Sequence, residues 1–247
     1  SSATQQTIAL LNRIFNGKNR MRDFKEERFF EEFVSKMNKF EQAVNDYLST
    51  PTPETKQVIK ELLSIKEIIQ SIEEETKGLD PELVEEMSLR EVNIPLKEIE
   101  YLKAELNINA LNQGFIDSVL KYGWGNFGFL SYQFGYDDDN SLHWIVERNV
   151  DYEDYSTLNK NGLIIIANGD PYTILLECAT GRIYCIDSET SLEHRMLIAN
   201  SFEQLVQAMG TGQYACWKEK ETEFVQLMAH ITDGEGMLFW ESLVGCY

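Results

Sequence analysis

The hydrophobic pattern changes along the chain, from seven-residue repeats in the N-terminal part to short β-rich runs after residue 160. Each repeat places its apolar side chains at alternating steps of three and four residues, the spacing of one face of an α-helix. Thr50–Pro53 separates the two repeats, and Gly78 and Pro81 follow the second. We therefore predict two long helices joined by a short turn as an antiparallel hairpin. The two stripes are Phe30, Phe33, Met37, Phe40, Val44 and Tyr47, and then Val58, Leu62, Ile65, Ile69 and Ile72.

The strongest strand signal begins at Leu163. Leu163–Ala167 is apolar at every position, which is typical of a strand that is covered on both faces. After the turn residues Asn168–Pro171, two alternating runs, Tyr172–Ala179 and Arg182–Asp187, flank Thr180-Gly181. These runs predict a central part of an antiparallel sheet.

The pair Thr180-Gly181 predicts a two-residue hairpin loop. In that register Leu176 pairs with Cys185 and Ile174 pairs with Asp187, while Glu177 lies diagonal to Arg182. One face of the hairpin is then apolar and is predicted to be buried. It carries Ile174, Leu176, Cys178, Ile183 and Cys185.

Helical patterns also precede and follow this strand region. An amphipathic helix is predicted after Ile94-Pro95, and a closing helix begins at Ser201, whose capping box uses Gln204, and ends at Gly210. The order of helices, strands and helices predicts an α+β fold with an antiparallel sheet flanked by helices. Because breakers cluster at Gly78–Pro81, we predict a helical hairpin extension over residues 1–80 and an α+β domain over residues 88–247.

Acidic residues outnumber basic ones, 41 to 22, which gives the chain a formal net charge of −19. This balance argues against direct binding of nucleic acid, because contacts to phosphate need a basic surface. A basic protein is a compatible partner, and solubility alone also accounts for the charge.

The sequence also bears on compartment. No apolar run reaches the roughly 18 residues that are needed to span a bilayer, so no membrane association is predicted. The first residues, Ser1–Thr7, lack the basic and apolar regions of a signal peptide, and we expect a cytoplasmic protein. The four cysteines, Cys178, Cys185, Cys216 and Cys246, show no metal-type spacing and are expected to be reduced.

Several patterns that resemble known sites fail on inspection. The run Asp137–Asn140 suggests calcium, but an EF-hand loop needs glycine and glutamate where this chain has Leu142 and Arg148. The glycines between residues 123 and 128 match a dinucleotide motif only superficially, since Trp124 and Phe127 would obstruct a phosphate. The three histidines are scattered, and no serine or cysteine lies in a catalytic frame. We therefore predict no catalytic residue, no cofactor and no metal, and a protein that is not an enzyme.

From about residue 107 to 210 the sequence resembles the SUKH superfamily, whose bacterial members are largely immunity proteins against polymorphic toxins. The resemblance lies in Leu111, Phe115 and Tyr122-Gly123, in the strand set from Leu163 to Asp187, and in Ile198–Phe202 before the closing helix. Asn112 stands where members tend to have proline. The resemblance implies an α+β fold and a cytoplasmic immunity protein that binds a toxin. It implies no catalytic residues, and members bind their partners through differing surfaces.

The acidic segment between residues 137 and 155 is the candidate partner-binding surface. It interleaves carboxylates with aromatic side chains, an arrangement that combines electrostatic steering with large apolar contacts. A solvated loop with no binding role explains the same composition. If the surface binds, the predicted partner is a basic toxin domain; the alternative is an intracellular scaffold or regulatory module with no toxin partner. The residues are Asp137, Asp138, Asp139, Trp144, Glu147, Asp151, Tyr152, Glu153, Asp154 and Tyr155.

Overall fold

The computed structural model describes residues 59–136, 140–232 and 234–245, together with Ser35, Lys36, Lys39 and Gln42, which are helical and exposed. All six residues of the first predicted stripe lie outside the described residues, so the first helix of the predicted hairpin stays a prediction. Contacts group the chain into two compact units, Ser1–Val58 and Ile59–Tyr247. The architecture given below is that of the second unit.

Two antiparallel sheets and nine α-helices make up the described part of this unit, and this confirms the α+β class. The helices are α1 Ile65–Glu75, α2 Pro81–Met87, α3 Lys97–Glu105, α4 Gln113–Val119, α5 His143–Val150, α6 Tyr155–Lys160, α7 Phe202–Trp217, α8 Glu221–Ile231 and α9 Gly236–Leu243, with a 3-10 helix at Leu192–His194. The strands are β1 Arg90–Glu91, β2 Tyr122–Gly123, β3 Gly128–Phe129, β4 Tyr132–Gln133, β5 Leu163–Gly169, β6 Thr173–Glu177, β7 Ile183–Ile186 and β8 Met196–Ala199.

The main sheet has six strands in the order β3-β4-β5-β6-β7-β8, so each strand pairs with its neighbour in sequence. Strand β5 is buried on both faces, as its uniformly apolar sequence predicted. Its Ile164 and Ile166 belong to the large core cluster that also contains the buried side chains of α7. Its Leu163 and Ile165 belong to a smaller cluster with Leu158 of α6.

The hairpin between β6 and β7 has the predicted buried face but a different register. Leu176 pairs with Ile183 and Ile174 pairs with Cys185, two residues away from the predicted pairing. The loop is longer than predicted. The last hydrogen bond of the hairpin joins the Glu177 N–H to the Arg182 carbonyl, so the loop spans residues 178–181. Gly181, at its end, has a φ of 80°. A shift of two residues keeps every side chain on its face, and so the predicted core positions are buried.

The same hairpin carries two of the cysteines. Cys178, Cys185 and Cys216, the three cysteines within the described residues, form no disulfide, which confirms the prediction for them. Burial raises the pKa of Cys178 to about 12 and raises the pKa of Cys185 as well. Both groups are therefore protonated at neutral pH, and only the thiolate is a good nucleophile.

We expect Cys178 and Cys185 to resist a thiol reagent in the folded protein, whereas the half-buried Cys216 reacts before either of them. Intact-mass analysis at intervals, with peptide mapping, measures the order. Labelling after denaturation without a reductant provides the reference, and we expect all four cysteines of the chain to react there. Fewer than four adducts would show a disulfide and contradict the assignment.

Helix α1 begins later than the hydrophobic stripe predicted. Ser64 accepts the N–H of Glu67, and the Glu67 side chain accepts the N–H of Ser64, so a complete capping box starts the helix there. The preceding segment is not helical, and it is held to the domain by two side chains. Glu223 accepts the N–H of Ile59, and the Thr211 hydroxyl accepts the N–H of Leu63, both at 2.9 Å.

Helix α1 packs on α7, and this contact explains a glycine that we misread. Ile68 is fully buried, and a Cβ atom on Gly210 would overlap its side chain. Gly210 therefore does not end the closing helix, which runs on to Trp217. Since α1 is part of the compact unit, the predicted division between residues 80 and 88 falls inside Ile59–Tyr247.

A fragment that covers residues 59–247 should unfold cooperatively, whereas a fragment that covers 88–247 should not. The shorter fragment lacks Ile65, Ile68 and Ile72, which are all buried, and the loss of even one such side chain costs roughly 2–5 kcal/mol. Urea denaturation followed by circular dichroism compares the two. Equal stability of both fragments would show that α1 adds nothing to the core and would support the predicted division between residues 80 and 88.

Candidate protein-binding surfaces

The segment that sequence analysis treated as an acidic loop forms two helices, α5 and α6, after residue 142. Helix α5 is positioned at its start by Glu98, whose carboxylate accepts the N–H of Leu142 at 3.3 Å. At its other end the buried Asn149 bonds to both backbone groups of Ile165 in β5, at 2.7 and 2.8 Å. These contacts fix the orientation of α5, and that orientation determines which of its side chains reach solvent.

Trp144 lies in the core, which corrects its assignment as a surface anchor. The side chain is 1% exposed, and its ring lies 6.2 Å from that of Trp124. Trp144, Ile145 and Arg148 occupy the inward face of α5, whereas Glu147 points to solvent. Since a partner cannot reach this ring in the folded protein, its loss would affect stability before binding.

Arg148, the only arginine or lysine in the acidic segment, is also buried. Its guanidinium donates to the carbonyls of Phe134 and Gln133, and it lies over the rings of Tyr136 and Trp144 at 5.0 and 5.3 Å. Burial lowers its pKa to about 10. The positive charge therefore supports the fold instead of neutralising the outer surface.

Four of the predicted carboxylates reach solvent, one on α5 and three in the connection between α5 and α6. Glu147, Asp151, Glu153 and Asp154 are all exposed, and we call them the acidic ridge. Val150, which is 59% exposed, lies among them in the sequence. The ridge thus offers negative charge and one apolar side chain to solvent.

The two tyrosines of the segment are half-buried and serve the fold. Tyr152 and Tyr155 pack against the smaller core cluster. The Tyr155 hydroxyl donates to the carbonyl of Leu106, and burial raises its pKa. Asp137, Asp138 and Asp139 lie outside the described residues, and their part in binding stays a prediction.

A second surface, which sequence analysis missed, is a groove between α1 and α2 with a volume of about 750 Å³. We call it the α1–α2 groove. Its apolar lining includes Ile69, Leu79, Val84 and the buried Leu89. Helix α2 is capped by Asp80, which accepts the N–H of Glu82 at 3.0 Å, and Pro81 opens its first turn.

A weak signal for the groove is present in the sequence. Helix α1 contains four isoleucines, but only Ile65, Ile68 and Ile72 are buried. Ile69 is only partly buried. This extra isoleucine does not show where a groove would form. The opposite wall comes from α2, whose seven residues are too few to show a sustained apolar stripe.

Two further features of the described residues bear on function. None of the helices in this part of the chain is long and apolar enough to cross a bilayer. In the same residues, no group of three or more His, Cys, Asp or Glu side chains is placed to hold a metal ion.

Comparisons of this chain with protein-family models, with curated proteins and with solved structures find no match. The resemblance to the SUKH superfamily therefore stays a prediction from the sequence. The function has to be argued from the two surfaces.

Proposed function

We propose that this protein acts by binding a basic protein through the acidic ridge, and that the partner is a bacterial toxin, as the SUKH resemblance implies. The observation that carries the proposal is the segregation of charge between residues 140 and 155. Glu147, Asp151, Glu153 and Asp154 face solvent, while Arg148, the only arginine or lysine of that stretch, is 5% exposed and donates to backbone carbonyls inside. Such a surface repels acidic ligands and attracts cationic ones.

The physical role of the ridge is to accelerate association. A chain with a net charge of −19 attracts a basic partner over a distance, and local carboxylates orient the encounter. Toxins that attack nucleic acids need basic clefts to hold phosphate, and an acidic inhibitor is complementary to such a cleft. With Trp144 in the core, the apolar part of the contact falls to the exposed Val150 and to neighbouring side chains.

The partner is first isolated by using the tagged full chain as bait in lysate of the source cells. Association and dissociation rates are then measured for the purified partner at two salt concentrations. Changing the four ridge carboxylates to Gln or Asn should slow association about tenfold at low salt, with little change in dissociation. The difference should shrink as salt is raised, because exposed charges are screened.

A matched control removes the same charge from other positions. Glu189, Glu193, Glu203 and Glu219 are also exposed, and their change to Gln reduces the net negative charge by the same four units. If the control variant loses as much association rate as the ridge variant, only the total charge matters and the ridge is not the binding surface. Recovery of a partner that is not basic would refute the proposal.

The toxin part of the proposal has its own test. Co-expression of this protein should restore growth to cells that express the partner, and the ridge variant should restore it less well. If the partner does not impair growth at all, the alternative of a scaffold or regulatory module is favoured. The ridge would then serve a different basic protein.

A further inference from the structure

The α1–α2 groove lies on elements that the acidic ridge does not use. One wall is the side of α1 that includes Ile69, and the other is the side of α2 that includes Val84. Leu79, in the turn between the helices, is 53% exposed although it lines the groove. Leu79 shares the groove lining with Ile69 and Val84, and grouped apolar side chains at a surface mark binding sites where isolated ones do not.

The charged side chains on the two sides of the groove differ in whether they form ion pairs. On the α2 side, Glu85 pairs with Arg90 at 3.2 Å, and Glu91 lies 4.0 Å from Lys121. On the α1 side, the rim carries Lys66, Glu73 and Lys77. Among the described residues, the charged groups of these three side chains have no hydrogen bond or ion pair.

The spacing of these three residues defines what would complement them. Lys66 and Glu73 lie seven residues apart on one side of α1, about 10 Å apart along it at a rise of 1.5 Å per residue. Lys77 lies in the turn two residues after the helix ends, beyond Glu73. A complementary ligand therefore presents an acidic, a basic and again an acidic group along about three helical turns, next to an apolar stripe.

We propose that the α1–α2 groove binds an amphipathic helix of a partner protein, with acidic residues near both ends and a basic residue in the middle. Its apolar side chains pack on Ile69, Leu79 and Val84, and its acidic ends pair with Lys66 and Lys77. A single-headed amphiphile can reach only one of the two ammonium groups. Helix-in-groove recognition uses this combination of i, i+3, i+4 and i+7 apolar anchors with flanking charge.

This second binding surface is independent of the ridge, and it can be tested without the natural partner. The probes are two fluorescent peptides of about 14 residues with the same apolar stripe, one with the acidic-basic-acidic pattern and one with every charge reversed. Fluorescence anisotropy with the full chain at about 150 mM salt limits the effect of distant charges. We expect the acidic-ended peptide to bind about fivefold more tightly, since each of two exposed pairs contributes roughly 0.5 kcal/mol.

Two leucines provide a matched pair for the apolar contact. Leu79 and Leu83 are 53% and 54% exposed, but only Leu79 lines the groove. Leu79→Asp should weaken peptide binding at least tenfold, since it places a charge against the apolar stripe. Leu83→Asp should leave binding unchanged, and circular dichroism should show both variants folded.

The charge pattern is tested by reversing it. The double variant Lys66→Glu and Lys77→Glu should prefer the charge-reversed peptide over the acidic-ended one. The proposal is overturned if neither peptide binds at millimolar concentration, if both leucine variants bind equally, or if the preference does not change. Binding of dodecanoate, but of neither peptide, would identify the groove as a site for small amphiphiles and would also overturn it.

Discussion

Gly135→Ala should abolish the folded state or destabilise it by more than about 4 kcal/mol, beyond the usual range for a single substitution. A Cβ atom at this position would overlap the carbonyl oxygens of Trp124 and Gly125, which are backbone atoms. The neighbouring Phe134 N–H bonds to the Phe127 carbonyl at 2.9 Å, and so the two segments have little freedom to separate. Urea denaturation of the purified variant, or its recovery only in the insoluble fraction, measures the effect.

Gly114→Ala is the matched control for this substitution. Gly114 lies in α4 and is exposed, and a Cβ atom there would meet only the Asn112 side chain at 3.1 Å. Alanine is also the better helix former, so we expect a change in stability within about 1 kcal/mol. A Gly135→Ala protein as stable as the Gly114→Ala protein would show that the approach of residues 124–125 to residue 135 is not as tight as described.

Trp124→Ala should cost about 3–5 kcal/mol, the range for removing a large aromatic side chain from a core. Trp124 is 0% exposed, its indole N–H donates to the Val119 carbonyl at 3.1 Å, and its ring contacts several other aromatic rings. Among these contacts are Tyr122, Phe127, Phe134, Trp144 and Phe202. The near-ultraviolet circular dichroism signal should become weaker, and the midpoint temperature of thermal unfolding should fall.

Trp217 is the corresponding control, because it is a tryptophan that is 37% exposed at the end of α7. We expect Trp217→Ala to change the free energy of unfolding by less than about 1 kcal/mol, since surface substitutions away from special features have small effects. Equal losses from both substitutions would argue against a core centred on Trp124.

Much of the sheet follows from local pattern. The absence of alternation in Leu163–Ala167 is enough to predict a strand buried on both faces, and the alternation of Ile174, Leu176 and Cys178 is enough to predict one buried face of the hairpin. These predictions are confirmed because side-chain direction in a strand depends only on odd or even position. The opposite face is buried too at Leu175, which packs in the smaller cluster and which the alternation did not predict. The predicted pairing between β6 and β7 was wrong, because it depends on the number of residues in the loop that joins them.

The candidate surface was predictable only in part. The exposure of Glu147, Asp151, Glu153 and Asp154 follows from the cost of burying a carboxylate without a partner. The burial of Trp144 and Arg148 does not follow from composition, because it depends on the orientation of α5 relative to Trp124, Phe134 and Ile165. A segment read as a loop has no inner face, and this is why the tryptophan was assigned to the surface.

By itself, then, the sequence determined the α+β class, the buried faces of the strands and the excess of exposed acid, all of which depend on spacing and on the hydration of side chains. The tertiary structure decided the rest. Gly210 continues α7 because Ile68 of α1 packs directly against it, and the α1–α2 groove exists because residues 66–91 fold into two walls. Such features arise from contacts between segments far apart in the chain or from the angle between helices. Neither can be predicted from the hydrophobic periodicity of a single segment.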